Sequence, residues 1–168
     1  MGNAHFDPTT KEIDFTSINA IRIDFLEHEM FHAFQDQTYG NAAFISYGKP
    51  INSYYPPGYT DIEFEQAVFN DIVNKTLTEG THNSTDANYV ANYRDWISLI
   101  TNNGTAYPKL NPNATNQADI DKYNSFINSY NSFMDQFKQV PGNPYYSPIL
   151  HLTPNALINM FNSIDPNC

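Results

Sequence analysis

The segment TSINAIRIDFLEHEMFHAFQDQTYG, residues 16–40, decides the fold of this 168-residue chain. Thr16 and Ser17 are favoured N-cap residues, and neither Pro nor Gly follows before Gly40, a residue typical of helix C-termini. The segment therefore predicts a helix from Ile18 to about Tyr39. Apolar residues lie on two opposite faces, one with Ile23, Leu26, Met30 and Phe34 and the other with Ile21 and Phe25 beside His28 and His32. Such a helix is expected to run through the middle of a domain.

The middle of this helix carries an H-E-x-x-H motif, His28-Glu29-Met30-Phe31-His32. Because a helix turns once every ~3.6 residues, both imidazoles project from the same side, about one turn apart, which suits two ligands of a tetrahedral Zn²⁺. Glu29 lies roughly 100° round the helix, where a carboxylate can take a proton from water and later give it to a leaving amine. The motif predicts zinc ligation with Glu29 as general base. The alternative is two surface or capped histidines beside a solvated glutamate.

A catalytic zinc site usually has three protein ligands, so a third must come from beyond the motif. Gln35 and Thr38 stand where the extended motif H-E-x-x-H-x-x-G-x-x-H requires Gly and His, so the third ligand is not adjacent. The next predicted helix, residues 61–77, offers Glu63 and Glu65.

The two glutamates point to different faces of that helix. Glu63 shares its face with the small or polar residues Gln66, Ala67, Asn70 and Asn74. Glu65 points among the apolar residues Ile62, Val68, Phe69 and Ile72. A carboxylate buried there needs a metal ion or an arginine, and Arg22 and Arg94 are the only arginines. The helical wheel leaves both glutamates open as the third ligand.

An H-E-x-x-H motif followed by a glutamate-bearing helix resembles the gluzincin group of zinc metallopeptidases. In that family two histidines and a downstream glutamate hold zinc, and the motif glutamate is the general base. The segment EFEQA, residues 63–67, is similar to the E-x-E-A or E-F-x-A-D helices of the smaller members, whose first glutamate is the ligand. The resemblance covers about residues 4–78. It implies a zincin-like fold with His28, His32 and Glu63 as ligands and Glu29 as base.

The chain departs from the family pattern just after the proposed third ligand. Gln66 and Ala67 stand where Ala and Asp are expected. The resemblance therefore favours Glu63 while leaving Glu65 open as the alternative ligand.

The rest of the chain predicts a hairpin and further helices. Residues 4–15 predict two short strands around an Asp-Pro-Thr-Thr turn, and an edge strand above the active-site helix fits the family because it can pair with an extended peptide. Helices are also predicted over residues 86–102, around residues 120–137, and after Thr153-Pro154. We therefore expect a mainly α (α+β) fold. It would be a single zincin-like metallopeptidase domain, residues 1–168, with a small N-terminal hairpin or edge sheet, either complete or as part of a longer chain.

Three residues are weaker candidates for supporting roles. Asp36 lies four residues after His32 on the same face, where it could orient an imidazole or remain a solvated helix-end carboxylate. His151 and Tyr146 precede the last helix in a predicted loop. Either could stabilise the oxyanion of a peptidase reaction, against the alternative of aromatic packing.

Composition and charge narrow the possible partners and compartments. With 18 acidic and 8 basic residues the net charge is −10, which repels nucleic acid and anionic membrane surfaces. Cys168 is the single cysteine, which excludes an intrachain disulfide and a cysteine-ligated metal site. No stretch approaches the ~18 apolar residues of a membrane span. Few lysines and many Asn and Tyr favour an exported bacterial protein, periplasmic or extracellular, without its leader; otherwise we expect a cytoplasmic protein.

Together these features predict a zinc-dependent peptidase-like hydrolase that acts on a peptide or protein. One alternative is a catalytically silent, zinc-stabilised binding module for a protein or glycan partner. The other is a chain without metal, in which the motif is a coincidence. The sequence indicates no particular oligomeric state.

Overall fold

In the computed structural model, which describes residues 4–40, 57–142 and 147–164, the chain is mainly α-helical with one small antiparallel sheet. This confirms the predicted fold class. The elements are strands β1 (Ala4–Asp7) and β2 (Glu12–Phe15), a 3₁₀ turn (Ile18–Ala20), and helices α1 (Ile23–Tyr39), α2 (Tyr59–Asn74), α3 (Ala87–Ile100), α4 (Gln117–Gln139) and α5 (Asn155–Ser163). Within the described ranges, none of these helices has the length and apolar character that crossing a bilayer requires.

The predicted N-terminal hairpin is present, and local turn chemistry closes it. The Asp7 carboxylate accepts the Thr9 backbone N–H at 2.7 Å, and the Asp7 carbonyl accepts the Lys11 N–H at 2.8 Å. Lys11 adopts a left-handed backbone conformation with φ of 62°. Phe6 of β1 is buried, and the hairpin packs on α1. The sheet therefore lies beside the helix that carries the H-E-x-x-H motif.

Helix α1 ends where the sequence predicts but begins five residues later. Ser17 makes no side-chain cap hydrogen bond, and residues 18–20 form a 3₁₀ turn instead of the first helical turn. Arg22 then occupies the N-cap position in an extended conformation. Gly40 ends the helix with φ of 71°, and its N–H donates to the Asp36 carbonyl. The start was mispredicted because good cap residues permit a helix start without enforcing one.

The central helix is α2, not α1. Ile23 and Met30, predicted to lie in an apolar stripe of α1, are 70% and 57% exposed. Helix α2 contacts α1, α4 and α5, and most of its residues are buried. Its fully buried Phe64 packs against Tyr130 and Phe137 of α4, with ring centroids 5.0 and 5.2 Å away. The prediction that α1 runs through the middle of the domain is therefore wrong.

The connection from α2 to α3 is organised by one buried carboxylate. Asp71 accepts the backbone N–H groups of Thr78, Glu79 and Gly80 and the hydroxyl of Tyr93. These bonds satisfy backbone donors that would otherwise be buried without partners. Asp86 caps α3 by accepting the N–H groups of residues 88 and 89.

Candidate metal centre

Helices α1 and α2 lie side by side and bring three potential metal ligands together. His28 and His32 come from successive turns of α1, and Glu63 comes from α2. One ligand atom from each residue lies within 4.8 Å of the others. The His28 and His32 Nε2 atoms are 3.1 Å apart, and His32 Nε2 is 3.8 Å from Glu63 Oε1. Tetrahedral zinc with bonds of roughly 2.0–2.1 Å places its ligand atoms ~3.3 Å apart, so this donor set fits zinc after small side-chain adjustments.

Burial keeps both imidazoles in the form that binds metal. His32 is 1% exposed, and its burial lowers its pKa to about 4. Burial also lowers the pKa of His28 to about 4, with a further decrease from the neighbouring His32 and a partial increase from the Glu63 carboxylate. Both rings are therefore neutral at pH 7, and metal binding would not have to displace a proton from an imidazolium.

The tautomer of His32 is set by Gln35. The Gln35 amide nitrogen donates to the Ile62 carbonyl at 3.0 Å and to Glu65 Oε2 at 2.8 Å. A carbonyl only accepts, so the amide oxygen must be the atom that faces His32 Nδ1 at 2.7 Å. His32 Nδ1 therefore carries the hydrogen, and the Nε2 lone pair faces the site. His28 Nε2 is then the donor across the 3.1 Å contact, and His28 must shift its hydrogen to Nδ1 to bind a metal.

Glu65, the alternative third ligand, is occupied elsewhere. Its carboxylate accepts hydrogen bonds from Gln35 Nε2, from the Tyr39 hydroxyl at 2.9 Å and from the Leu157 N–H at 2.9 Å. The prediction that a buried Glu65 needs a metal or an arginine is therefore wrong, since these neutral donors satisfy it. Burial raises the pKa of Glu65 to about 7, which the same hydrogen bonds partly offset. The structure groups Glu63, and not Glu65, with the two histidines.

Glu29 lies next to this group and is held by the hairpin. It is 7% exposed, and its Oε2 accepts the backbone N–H of Phe6 at 2.7 Å. Burial raises the pKa of Glu29 to about 7; the Phe6 hydrogen bond lowers the pKa in part, and the negative charge of Glu63 raises it further. The negative charge of Glu63 therefore acts on the Glu29 carboxylate, which directly follows His28 in α1. Its pKa suits a group that both accepts and returns a proton at neutral pH.

No protein-family model, curated protein or solved structure matches this chain. The support for a metal centre comes from its donor atoms, their spacing and their surroundings.

Neither of the two described weaker candidates, Asp36 and His151, joins the site. Asp36 does not orient an imidazole, because it pairs with Lys11 of the hairpin at 2.6 Å and the neighbouring Gln35 takes that role. His151 contacts Asp135 of α4 at 3.2 Å and is half exposed. Tyr146 lies outside the described residues.

Sequence reasoning missed two neighbours of the site. Gln35 follows His32 by three residues, and this spacing places both side chains on one helix face. The sequence could therefore have predicted that Gln35 forms a hydrogen bond with His32. His5 on β1 lies near enough to His32 to lower its pKa. No local sequence signal points to His5, because the packing of the hairpin on α1 brings it there.

Proposed function

We propose that this chain is a zinc-dependent peptidase-like hydrolase of the gluzincin type, acting on a peptide or protein substrate. The observation that carries the proposal is the convergence of His28, His32 and Glu63 beside the Glu29 carboxylate. Two neutral imidazoles and one carboxylate match the donor set of hydrolytic zinc sites. The separate engagement of Glu65 supports Glu63 as the third ligand.

Each residue has a distinct task in this proposal. His28, His32 and Glu63 would hold the ion, and Gln35 would keep the His32 lone pair turned toward it. A bound zinc ion supplies Lewis acidity, which lowers the pKa of water toward neutrality and polarises a substrate carbonyl. Glu29 would receive the proton of the attacking water at a carboxylate oxygen and then donate it to the leaving amine.

The hairpin gives this site a specific constraint. Glu29 Oε2 is engaged by the Phe6 N–H, which leaves Oε1 for proton transfer. A fixed carboxylate loses less conformational freedom in the reaction, so this contact can support catalysis. The same contact also lowers the basicity of the carboxylate, since it stabilises the ionised form.

The hydrogen bond between Glu29 and the Phe6 N–H favours a second candidate function, that of a catalytically silent zinc-stabilised binding module. In that case zinc would link α1 to α2, and the Glu29–Phe6 hydrogen bond would tie the hairpin to the same helix. Both contacts would then stabilise the fold without turnover.

Two measurements test the proposal. Metal analysis of the purified chain should find about one zinc per chain, since the site offers one set of three ligands. Near-zero zinc, together with no zinc uptake in titration, would reject both zinc-dependent functions. Peptide-library hydrolysis should then fall roughly 10²–10⁴-fold in Glu29→Gln, which removes the base but keeps the ligands.

The matched control is Glu27→Gln, which removes one negative charge from the same helix. It should keep native hydrolysis and native zinc content. Equal hydrolysis by the native chain and Glu29→Gln, or hydrolysis by neither when zinc is bound, would favour the binding module over the hydrolase.

A further inference from the structure

A second candidate site lies between α3 and α4, and none of its described lining residues belongs to the metal centre. A cavity of about 440 Å³ opens between these helices and the segment that connects them. Its walls are largely apolar and include Trp96 and Ile100 of α3, Phe126 of α4, and Tyr107 and Leu110 of the connection. This volume falls within the range of small-molecule sites, which are commonly apolar with a few polar groups.

Both charged residues in the cavity lining are lysines, although the chain has a net charge of −10. These residues are Lys109 and Lys122, and no carboxylate lines the cavity. Among the described residues, neither lysine forms an ion pair with an acidic side chain. Lys109 donates to the backbone carbonyls of Phe161 and Ile164, which are uncharged. The carbonyls at the end of α5 offset part of the Lys109 charge, and Asp119 lines an adjoining pocket with both lysines. Lys122 therefore supplies the less compensated positive charge beside an apolar surface, which favours an anionic ligand.

A polar atom in the wall also lacks an acceptor. Trp96 is 6% exposed, and its indole N–H is buried with no hydrogen-bond partner among the described residues. Buried donors are nearly always paired, so an orphaned one calls for an explanation. Because this nitrogen is inaccessible to solvent, a ligand oxygen could accept its hydrogen only after the surrounding side chains moved.

The rim of the cavity exposes further apolar surface. Leu99 is 79% exposed and Tyr107 is 38% exposed, although both are large hydrophobic residues. Apolar walls require an apolar ligand body, and the lysines require a negative head.

We infer that the cavity between α3 and α4 binds a small molecule with an apolar body and one carboxylate. The body would fill the space beside Trp96 and Phe126. The carboxylate would lie near Lys109 and Lys122. This site is independent of the proposed zinc chemistry.

The single tryptophan of the chain makes the inference directly measurable. Because Trp96 lines the cavity, its fluorescence reports occupancy without a label. The full chain is titrated with octanoate, octanol and octylammonium, which share one apolar chain and differ in the charge of the head. We expect a saturable change with octanoate at the lowest concentration, a weaker response to octanol, and the weakest response to octylammonium.

Single substitutions separate the effect of charge from that of the fold. Lys122→Gln should weaken octanoate binding about two- to fivefold and leave octanol binding unchanged, as for a solvent-accessible charge. Lys138→Gln removes a charge from the same helix outside the cavity lining and should bind octanoate like the native chain. Leu99→Asp should weaken octanoate binding more than Leu99→Asn, because only the former adds a negative charge at the rim.

Three results would overturn the inference. The first is no saturable change in Trp96 fluorescence with octanoate up to its solubility limit. The second is binding of octanol or octylammonium as tight as that of octanoate. The third is equal octanoate affinity in Lys122→Gln and Lys138→Gln, with circular dichroism showing both folded.

Discussion

Replacing Gln35 with methionine is the most informative perturbation of the metal centre. The Gln35 amide makes three buried hydrogen bonds: with His32 Nδ1 at 2.7 Å, Glu65 Oε2 at 2.8 Å and the Ile62 carbonyl at 3.0 Å. Methionine has a similar length and fills a similar space, but it reproduces none of these bonds. The change therefore removes the polar contacts while leaving the packing of α1 against α2 largely intact.

The expected effect on zinc follows from the tautomer of His32. Without the amide oxygen, the hydrogen on Nδ1 loses its acceptor, and the Nε2 lone pair is no longer favoured. Partners of this kind typically contribute 10–100-fold to metal affinity. We therefore expect zinc affinity to fall by about 1.4–2.8 kcal/mol, measured by competition with a chromophoric chelator at neutral pH.

The same substitution should also destabilise the metal-free chain. It leaves the His32 Nδ1–H and the Ile62 carbonyl without their present partner, whereas Glu65 keeps Tyr39 and Leu157. A buried polar group left unpaired costs about 1–3 kcal/mol, so we expect a loss of roughly 2–4 kcal/mol in the free energy of unfolding. Urea titration in the presence of a chelator measures this loss separately from zinc binding.

A control variant and a spectroscopic measurement make the outcome decisive. Gln37→Met changes an exposed glutamine of the same helix and should leave zinc affinity and stability near native. Nitrogen NMR of the native imidazole should show the hydrogen of His32 on Nδ1. Native zinc affinity in a folded Gln35→Met variant, or a native His32 with its hydrogen on Nε2, would refute the reasoning.

Three further expectations concern the stability of the fold. Gly80→Ala should lower the free energy of unfolding by about 1–3 kcal/mol in urea titration, because its Cβ would clash with the Tyr93 hydroxyl. An unchanged midpoint would contradict this packing. Burial raises the pKa of Glu79 above its unfolded value of 4.5, so the folded carboxyl binds its proton more tightly than the unfolded one. The protonated carboxyl therefore contributes to the free energy of unfolding below pH 4.5, and this contribution is lost as the pH rises through the folded pKa. Glu79→Gln should therefore melt at a higher temperature than the native chain near neutral pH but not in acid, and a gain of equal size at both pH values would exclude titration as the cause. Lys11→Met should lower the free energy of unfolding by roughly 1 kcal/mol in urea titration, because the Asp36 side chain, which is 5% exposed, loses its cationic partner. A native midpoint would show that this ion pair contributes nothing to stability.

Local sequence signals predicted the parts of the fold that depend on neighbouring residues. The hairpin follows from the Asp7 turn, and the end of α1 follows from Gly40, which adopts a positive φ. The start of α1 was mispredicted because Ser17 precedes a 3₁₀ turn and makes no side-chain cap hydrogen bond, so the α-helix does not begin there. The exposed and buried faces of α1 were also mispredicted, because a helical wheel does not show which face another helix will cover. Met30 is exposed for that reason, although its neighbours in sequence are buried.

The choice between Glu63 and Glu65 shows where sequence reasoning reaches its limit. Both residues are buried on one helix, two positions apart. Glu65 is satisfied by Leu157, a residue 92 positions away in α5, and by Tyr39 at the end of α1. No pattern within residues 61–77 contains that information, because it depends on how α5 packs against α1 and α2. The assignment of roles to the two carboxylates therefore requires the tertiary structure.

The polar character of the buried face of α1 argues that this packing serves a site. Most of the buried residues of α1 are polar, namely Glu29, His32, Gln35 and Asp36, and Phe31 is the apolar exception. Burying such groups opposes folding unless each finds a partner, and an apolar face would stabilise the same contact more simply. A sequence that keeps this face polar departs from the rule for stability at Glu29, His32 and Gln35, which lie around the candidate metal centre, whereas Asp36 pairs with Lys11 of the hairpin. This pattern supports the proposal that the face serves ligand binding, and substituting Gln35 tests that proposal directly.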